Sequence, residues 1–129
     1  MKIIKLIRPI TWLSGHDHGY ANGYIALPKD HPWYEVDYED IPVKVHGGLT
    51  FSEMMTRDDL NTGYLGSFEK VDEQFTQDDL IGKRVIGFDT YHPEDNQDNC
   101  DEEYVLSEID KLFNQAIDAY YEALENEDT

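Results

Sequence analysis

The sequence of 129 residues has one cysteine, few basic residues and no long apolar run. The single cysteine, Cys100, excludes an intrachain disulfide framework and is typical of a reducing compartment. No segment approaches the roughly 18 consecutive apolar residues that a membrane span needs. The opening stretch MKIIKLIRPITW mixes basic and apolar residues without a small-residue cleavage site, which favours a strand over a signal peptide. We therefore expect a cytoplasmic protein.

Positive charge is scarce in this chain. Ten basic residues stand against 28 acidic residues, which gives a formal net charge of −18. This charge disfavours direct binding to nucleic-acid phosphate or to an anionic membrane, and it favours a basic protein, a metal ion or a cationic ligand. The alternative is that the charge only keeps the protein soluble. Because 40% of the residues are hydrophobic, the chain should fold, and its length predicts a single domain over residues 1–129.

Alternating and continuous apolar segments predict a small sheet. We expect a first strand within the apolar run 3–12, ending near Pro9, and further strands at about residues 24–27, 43–45, 49–52 and 84–88. The stretch 53–82 has no clear period, and its two similar pieces, TRDDL and TQDDL, are either loops or helix starts. The aromatic residues Trp33, Tyr34 and Tyr38 are expected in the core rather than on a partner surface.

One long amphipathic helix is predicted from about residue 100 to 124. Apolar side chains recur there with helical spacing, and Asn99 with Glu102 resembles a capping box. The predicted fold is therefore α+β, a mixed or antiparallel sheet packed against one C-terminal helix. The residues expected to face the sheet are Ile109, Phe113, Ile117 and Tyr120. The acids expected on the exposed, partner-binding face are Glu108, Asp118, Glu122 and Glu125.

A candidate metal site follows the strand at 84–88. In GFDTYHPED, Asp89, His92 and Asp95 are three residues apart, and His46 lies at the end of the expected strand 43–45. If the two strands are neighbours, these four side chains converge at one corner of the sheet. Imidazole and carboxylate ligands suit zinc or a similar divalent ion in a structural site. The alternative is a solvated turn.

Other candidate sites have weaker patterns. His16 and His18 would share one side of an extended segment, but flanking glycines favour a flexible loop. Cys100 is a candidate additional zinc ligand. Ser52, six residues after His46, suggests a nucleophile with its base, but no nucleophile-elbow pattern surrounds it. The sequence has no P-loop and no dinucleotide fingerprint.

Three motifs carry a resemblance to a known group of proteins. The stretches ANGYIALPKDHPWYEVDY, VHGGLTFS and GFDTYHPED resemble small proteins encoded by phages and prophages of Gram-positive bacteria. The resemblance extends over about residues 21–115, with a gap over the acidic middle of the chain. The pattern of that group often has a cysteine after the GFD aspartate, where this chain has Thr90, so no thiolate ligand is available at that position. The resemblance implies that His46, Asp89, His92 and Asp95 form a shared site.

The resemblance also implies a class of function. Small acidic phage proteins include inhibitors of host defence, among them inhibitors of the type II CRISPR nuclease, which holds its guide–target duplex in a basic channel. We therefore expect a non-enzymatic inhibitor in a bacterial host cell, which binds a basic nucleic-acid-binding protein and carries a structural zinc ion. The alternative is a metal-dependent phosphodiesterase or nuclease acting on a small nucleotide, with the same His and Asp residues catalytic. A third class is a phage structural or regulatory partner protein.

Overall fold

The computed structural model describes residues 2–10, 18–72 and 75–127. Its strands are β1 (Ile4–Pro9), β2 (Ala21–Leu27), β3 (Phe51–Met54), β4 (Glu69–Lys70) and β5 (Arg84–Phe88). Its helices are α1 (Arg57–Asn61) and α2 (Glu102–Glu127), with short 3₁₀ turns at Tyr38–Asp40, Tyr64–Ser67 and Gln77–Leu80. All strand pairs are antiparallel, in the order β3-β5-β2-β1-β4. The predicted α+β fold is confirmed.

Helix α2 covers one face of the sheet. Along β2 and β5, alternate side chains such as Ile25 and Ile86 point to α2, because successive residues of a strand face opposite sides. The helix residues that are fully buried against this face are Val105, Ile109, Leu112 and Ala116. Ile109 was predicted correctly. Phe113 and Ile117 also pack against this core, as predicted, but they are only half-buried, as is Tyr120. Lys5 Nζ lies 4.7 Å from the centre of the Phe113 ring.

The other face of the sheet is covered by the segment between β3 and β5, which the sequence left unassigned. Its apolar residues, including Met55, Leu65 and Leu80, form a second core with Tyr24 and Val85. TRDDL and TQDDL are both helix starts, each with a threonine–aspartate capping box. Because these turns are short, the second apolar layer has no long helical period in the sequence.

Two local predictions are corrected by the structure. Residues 43–45 do not belong to the sheet but run as an extended segment along α2. The capping box predicted for Asn99 is wrong, because Asp101 Oδ1 accepts the backbone N–H of Tyr104 at 2.9 Å. Asn99 instead lies in the preceding loop, where its side chain accepts the N–H of Asn96.

The aromatic segment after β2 is anchored inside the protein. Trp33 and Tyr34 are buried as predicted, and Tyr38 is half-buried against the same core. His31 is 3% exposed, accepts the backbone N–H of Trp33 at Nδ1, and holds Nε2 2.8 Å from the carbonyl oxygen of Ala116. The segment thereby attaches to the middle of α2. Within the part of the chain that the structure describes, neither helix has the length and apolar character of a membrane span.

Candidate metal centre

Three side chains with metal-binding atoms converge beside the start of α2. His46 Nε2 lies 2.9 Å from Asp95 Oδ1 and 3.9 Å from Cys100 Sγ, and Sγ lies 3.7 Å from the same carboxylate oxygen. The side chain of Asp95 is 1% exposed and Cys100 is 2% exposed. This group could hold a metal ion, and it is the one group of three such residues that the described ranges contain.

Helix α2 positions His46 through side chains rather than through a strand. Glu108 Oε1 accepts the backbone N–H of His46 at 2.8 Å. About two turns further along, Gln115 accepts the N–H of Lys44 and donates to its carbonyl oxygen, as a neighbouring strand would. Glu108 was predicted on the exposed face, and this prediction is wrong, since the residue is 7% exposed. The other three predicted partner-binding acids, Asp118, Glu122 and Glu125, are exposed.

The loop after β5 delivers Asp95 and Cys100 to the same point. A turn bonds the N–H of Asp95 to the carbonyl oxygen of His92, and the carbonyl of Cys100 accepts the N–H of Tyr20 at 2.8 Å. A Cβ on Gly19 would lie 2.6 Å from the Cβ of Cys100, which is closer than real Cβ contacts. Glycine at position 19 therefore allows the loop to pack closely enough for the thiol to reach His46.

The two oxygens of the Asp95 carboxylate have different neighbours. Oδ1 faces His46 and Cys100, whereas Oδ2 accepts the backbone N–H of His92 at 2.9 Å and lies 2.8 Å from His92 Nδ1. Asp89 Oδ1 is 3.5 Å from the same His92 nitrogen. His92 thus contacts the second oxygen of the Asp95 carboxylate, with its ring centre 5.5 Å from that of His46, and Asp89 lies next to His92. Of the four predicted ligands, the structure brings His46 and Asp95 together with Cys100, while His92, with Asp89 beside it, lies at the other oxygen of Asp95.

Tyr104 supports the imidazole of His46. Its hydroxyl oxygen lies 2.7 Å from His46 Nδ1, so Nε2 is the nitrogen that faces Asp95 and Cys100. Burial and the nearby charge of Glu108 raise the pKa of Tyr104, which keeps the hydroxyl protonated and able to donate or to accept. Metal-bound histidines usually have such a partner on the second nitrogen, because it fixes the tautomer and the ring orientation.

The protonation states of the cluster suit a metal ion better than a reactive thiol. Burial alone would raise the pKa of Asp95. The hydrogen bonds from the His92 N–H and from the imidazoles of His46 and His92 have a larger effect in the opposite direction, so the pKa of Asp95 is lowered. Burial and the charge of Asp95 raise the pKa of Cys100 to about 11. The hydrogen bond to Asp95 raises the pKa of His92. A bound cation would displace the thiol proton, since the thiolate is the metal ligand.

The arrangement differs from a nucleophile relay. In such a relay the nucleophile and the carboxylate contact opposite nitrogens of the histidine. Here Cys100 and Asp95 both lie at Nε2 of His46, and Tyr104 takes Nδ1. Since both ring nitrogens are engaged, His46 does not serve Ser52 as a base either. The donor atoms of His46, Asp95 and Cys100 lie within 4.8 Å of one another, an arrangement that suits a bound metal ion.

The rival histidine site is not assembled in the described residues. His16 lies outside them. His18 is 1% exposed, with Nδ1 2.9 Å from the carbonyl oxygen of Gly19 and its ring parallel to that of Tyr91 at 6.0 Å. His18 is therefore part of the packing that holds the loop after β5.

Comparison with known proteins finds no matching family model, no matching curated protein and no matching solved structure. The resemblance to phage-encoded proteins accordingly stays a prediction from the motifs.

Proposed function

We propose that this protein is a non-enzymatic binding protein that occupies a basic surface of a nucleic-acid-handling protein. The observation that carries the proposal is the one-sided charge of α2. Lys111 is the last basic residue of the chain, and Asp118, Glu122 and Glu125 beyond it are all exposed. An exposed surface of one sign attracts a partner of the opposite sign and raises the association rate.

Several basic side chains are used inside the protein and do not offset this surface. Lys5 Nζ forms ion pairs with Asp72 at 3.0 Å and with Asp110 at 2.9 Å. The guanidinium of Arg8 lies 4.3 to 5.2 Å from the ring centres of three aromatic residues, Tyr24, Tyr64 and Phe68. Arg84 Nε donates to the carbonyl oxygen of Tyr34. These three positive charges are held by contacts within the protein and are not presented to a partner, and Lys5 offsets part of the charge of Asp72 and Asp110.

The metal centre is proposed as a structural zinc site. Its donors are an imidazole nitrogen, a carboxylate oxygen and a thiol sulfur, a mixture that suits zinc better than magnesium or calcium. An ion bound to His46, Asp95 and Cys100 would join the segment along α2 to the loop after β5. It would hold these two irregular segments in place where no strand pairing does so.

The type II CRISPR nuclease is the first partner to test, because its basic channel holds nucleic acid through backbone contacts. The experiment measures binding to the purified nuclease and cleavage of target DNA at a large excess of this protein. We expect association to slow as salt rises from about 0.05 to 0.5 M, since the Debye length falls to a few ångström. Unimpaired cleavage, with no binding at low salt, would reject this partner.

A second candidate is a metal-dependent phosphodiesterase or nuclease acting on a small nucleotide. It is favoured by the number of ligands, because three protein donors leave the fourth position of a tetrahedral zinc open for water. The negative charge of the protein and the burial of Asp95 and Cys100 oppose access by a phosphate ester. Hydrolysis of cyclic and linear dinucleotides by the zinc-loaded protein, abolished in Cys100→Ala, would establish this candidate over the first.

A further inference from the structure

The C-terminal part of α2 is largely exposed to solvent. The last side chain with a described contact to the aromatic segment is Tyr120, whose ring is parallel to within 25° of that of His31. Residues 121–126 are all exposed, except for the half-buried Ala123. This end of the helix therefore presents nearly its whole circumference to solvent.

An aromatic side chain lies within the acidic stripe of this helix end. Asp118, Tyr121, Glu122 and Glu125 have offsets of 0, 3, 4 and 7, which places them on one face of a helix. Tyr121 is 58% exposed, and Leu124, one turn further along, is 39% exposed. We call these five residues the acidic end of α2. Among large apolar side chains in the described ranges, only Tyr91 is comparably exposed.

The charges of the acidic end do not stabilise the helix that carries them. The C-terminal end of a helix carries partial negative charge, which favours lysine or arginine, and its last turn has no basic residue. Asp118 and Glu122 are four residues apart, a like-charge pair that repels along the helix. Tyr121 and Leu124 are exposed, and the described ring contact of Tyr121 is with Tyr120 of the same helix, at 5.7 Å. A partner with positive charge would relieve the repulsion and cover both apolar side chains.

We propose that the acidic end of α2 is the docking element, and that it binds a groove with basic walls and an apolar floor in a nucleic-acid-handling protein. Tyr121 is the anchor that enters the groove, Leu124 packs beside it, and the three acids pair with lysine or arginine at the rim. Grooves that bind a helix commonly contact its side chains at positions i, i+3, i+4 and i+7, the spacing found here. Tyrosine suits the anchor position because it buries a large area with few rotatable bonds. The inference rests on the proposed function and names its contact surface.

The test uses the full chain and the purified type II nuclease as the probe, with affinities measured by calorimetry or interferometry. Tyr121→Ala should weaken binding about tenfold or more, as an interface anchor does. Asp118→Asn, Glu122→Gln and Glu125→Gln together should weaken it at least as much and should flatten its salt dependence. The matched controls are Tyr91→Ala, which removes an equally exposed tyrosine, and Glu53→Gln with Asp58→Asn and Asp78→Asn, which removes three exposed acids elsewhere.

The outcomes separate this inference from the proposed function. If the controls abolish binding and the acidic-end variants bind normally, the nuclease is a partner but the docking element lies elsewhere, and the inference is overturned. If the wild-type protein shows no binding at low salt, the partner and the inference fail together. Equal losses in Tyr121→Ala and Tyr91→Ala would also reject Tyr121 as the anchor. Thermal melting of each variant identifies any loss that comes from unfolding.

Discussion

His46 and Asp95 are joined by a hydrogen bond of 2.9 Å although 49 residues separate them in the chain. His46 belongs to a segment held along α2, and Asp95 belongs to the loop after β5. Neither segment is in the sheet at these positions. Their contact, with Cys100 beside it, links two irregular segments at one corner of the fold.

The metal centre predicts a specific pattern of ligand loss. Elemental analysis of protein purified without added metal should find about one equivalent of zinc per chain. Cys100→Ala and Asp95→Ala should lose the metal because each removes a donor atom. Asp89→Asn should keep it, since Asp89 lies beyond His92, away from the three donors.

His92→Ala distinguishes an orienting residue from a ligand. His92 holds the second oxygen of Asp95, so its removal should lower zinc affinity by about 10- to 100-fold without abolishing binding. The measurement is competition with a chelating dye at fixed pH. Complete loss of zinc in both His92→Ala and Asp89→Asn would mean that the ion is bound on the outer side of Asp95.

Glu108 should behave as a buried acceptor rather than as a surface acid. Glu108→Ala leaves the backbone N–H of His46 without its partner and should cost about 1 to 3 kcal/mol of unfolding free energy. Asp118→Ala, at an exposed position of the same helix, should stay within about 0.5 kcal/mol. Glu108→Gln keeps an acceptor oxygen and should fall between them. Urea unfolding gives the three values, and equal effects of the two alanine substitutions would contradict this role.

The burial of α2 predicts a contrast between neighbouring residues. Leu112→Ala should cost about 2 to 5 kcal/mol because it opens a cavity at a fully buried position. Phe113→Ala should cost less, because Phe113 is half-buried and the surrounding side chains, including Lys5, can move into the space. Denaturant unfolding of both variants checks the order, and a larger loss for Phe113→Ala would place the centre of the helix packing elsewhere.

His31 predicts a pH dependence of stability. Burial lowers its pKa, and the hydrogen bond to the Ala116 carbonyl only partly offsets this. The unfolded chain takes up the proton near pH 6.5, whereas the folded protein does so at lower pH. The contribution of His31 is therefore complete above about pH 6.5 and is lost as pH falls through the folded-state pKa.

The comparison variant is His31→Asn, which retains a donor and an acceptor but does not titrate. The difference in unfolding free energy between wild type and variant should shrink as pH falls from about 7.5 to 5. Other titrating groups, including the neighbouring Asp30, are common to both proteins and largely cancel. A difference that is constant over this range would show that His31 binds its proton equally in both states.

The parts of the fold with a long regular period could be predicted from the sequence. Helix α2 follows from the helical recurrence of its apolar residues. Strand β5 was predicted from a short continuous apolar run, and residues 85–88 of that strand are all buried. Residues 43–45 were assigned to a strand because alternation does not reveal that the neighbour is a helix side chain, here Gln115. The layer over the second face has short capped turns, and such turns leave too few residues to show a period.

The candidate site could be predicted in part. His46 and Asp95 do lie together, as predicted, although the premise that residues 43–45 form a strand beside β5 was wrong. The sequence does not distinguish a histidine that binds an ion from one that orients a carboxylate, because both roles need the same two side chains at hydrogen-bonding distance. Tyr104 and Glu108 lie one helical turn apart beside the apolar face of α2, and that position is the signal that could have indicated contact with His46.

The central position of β2 in the sheet has a consequence for how the chain is made. β2 pairs with β1 as soon as both have been synthesised, but its other neighbour, β5, lies more than 50 residues further along, and α2 follows later still. Until then the apolar residues of β2 are open on both faces and along one edge, a state that is prone to aggregation. During translation the earliest part of the sheet thus depends on the last part of the chain for its protection.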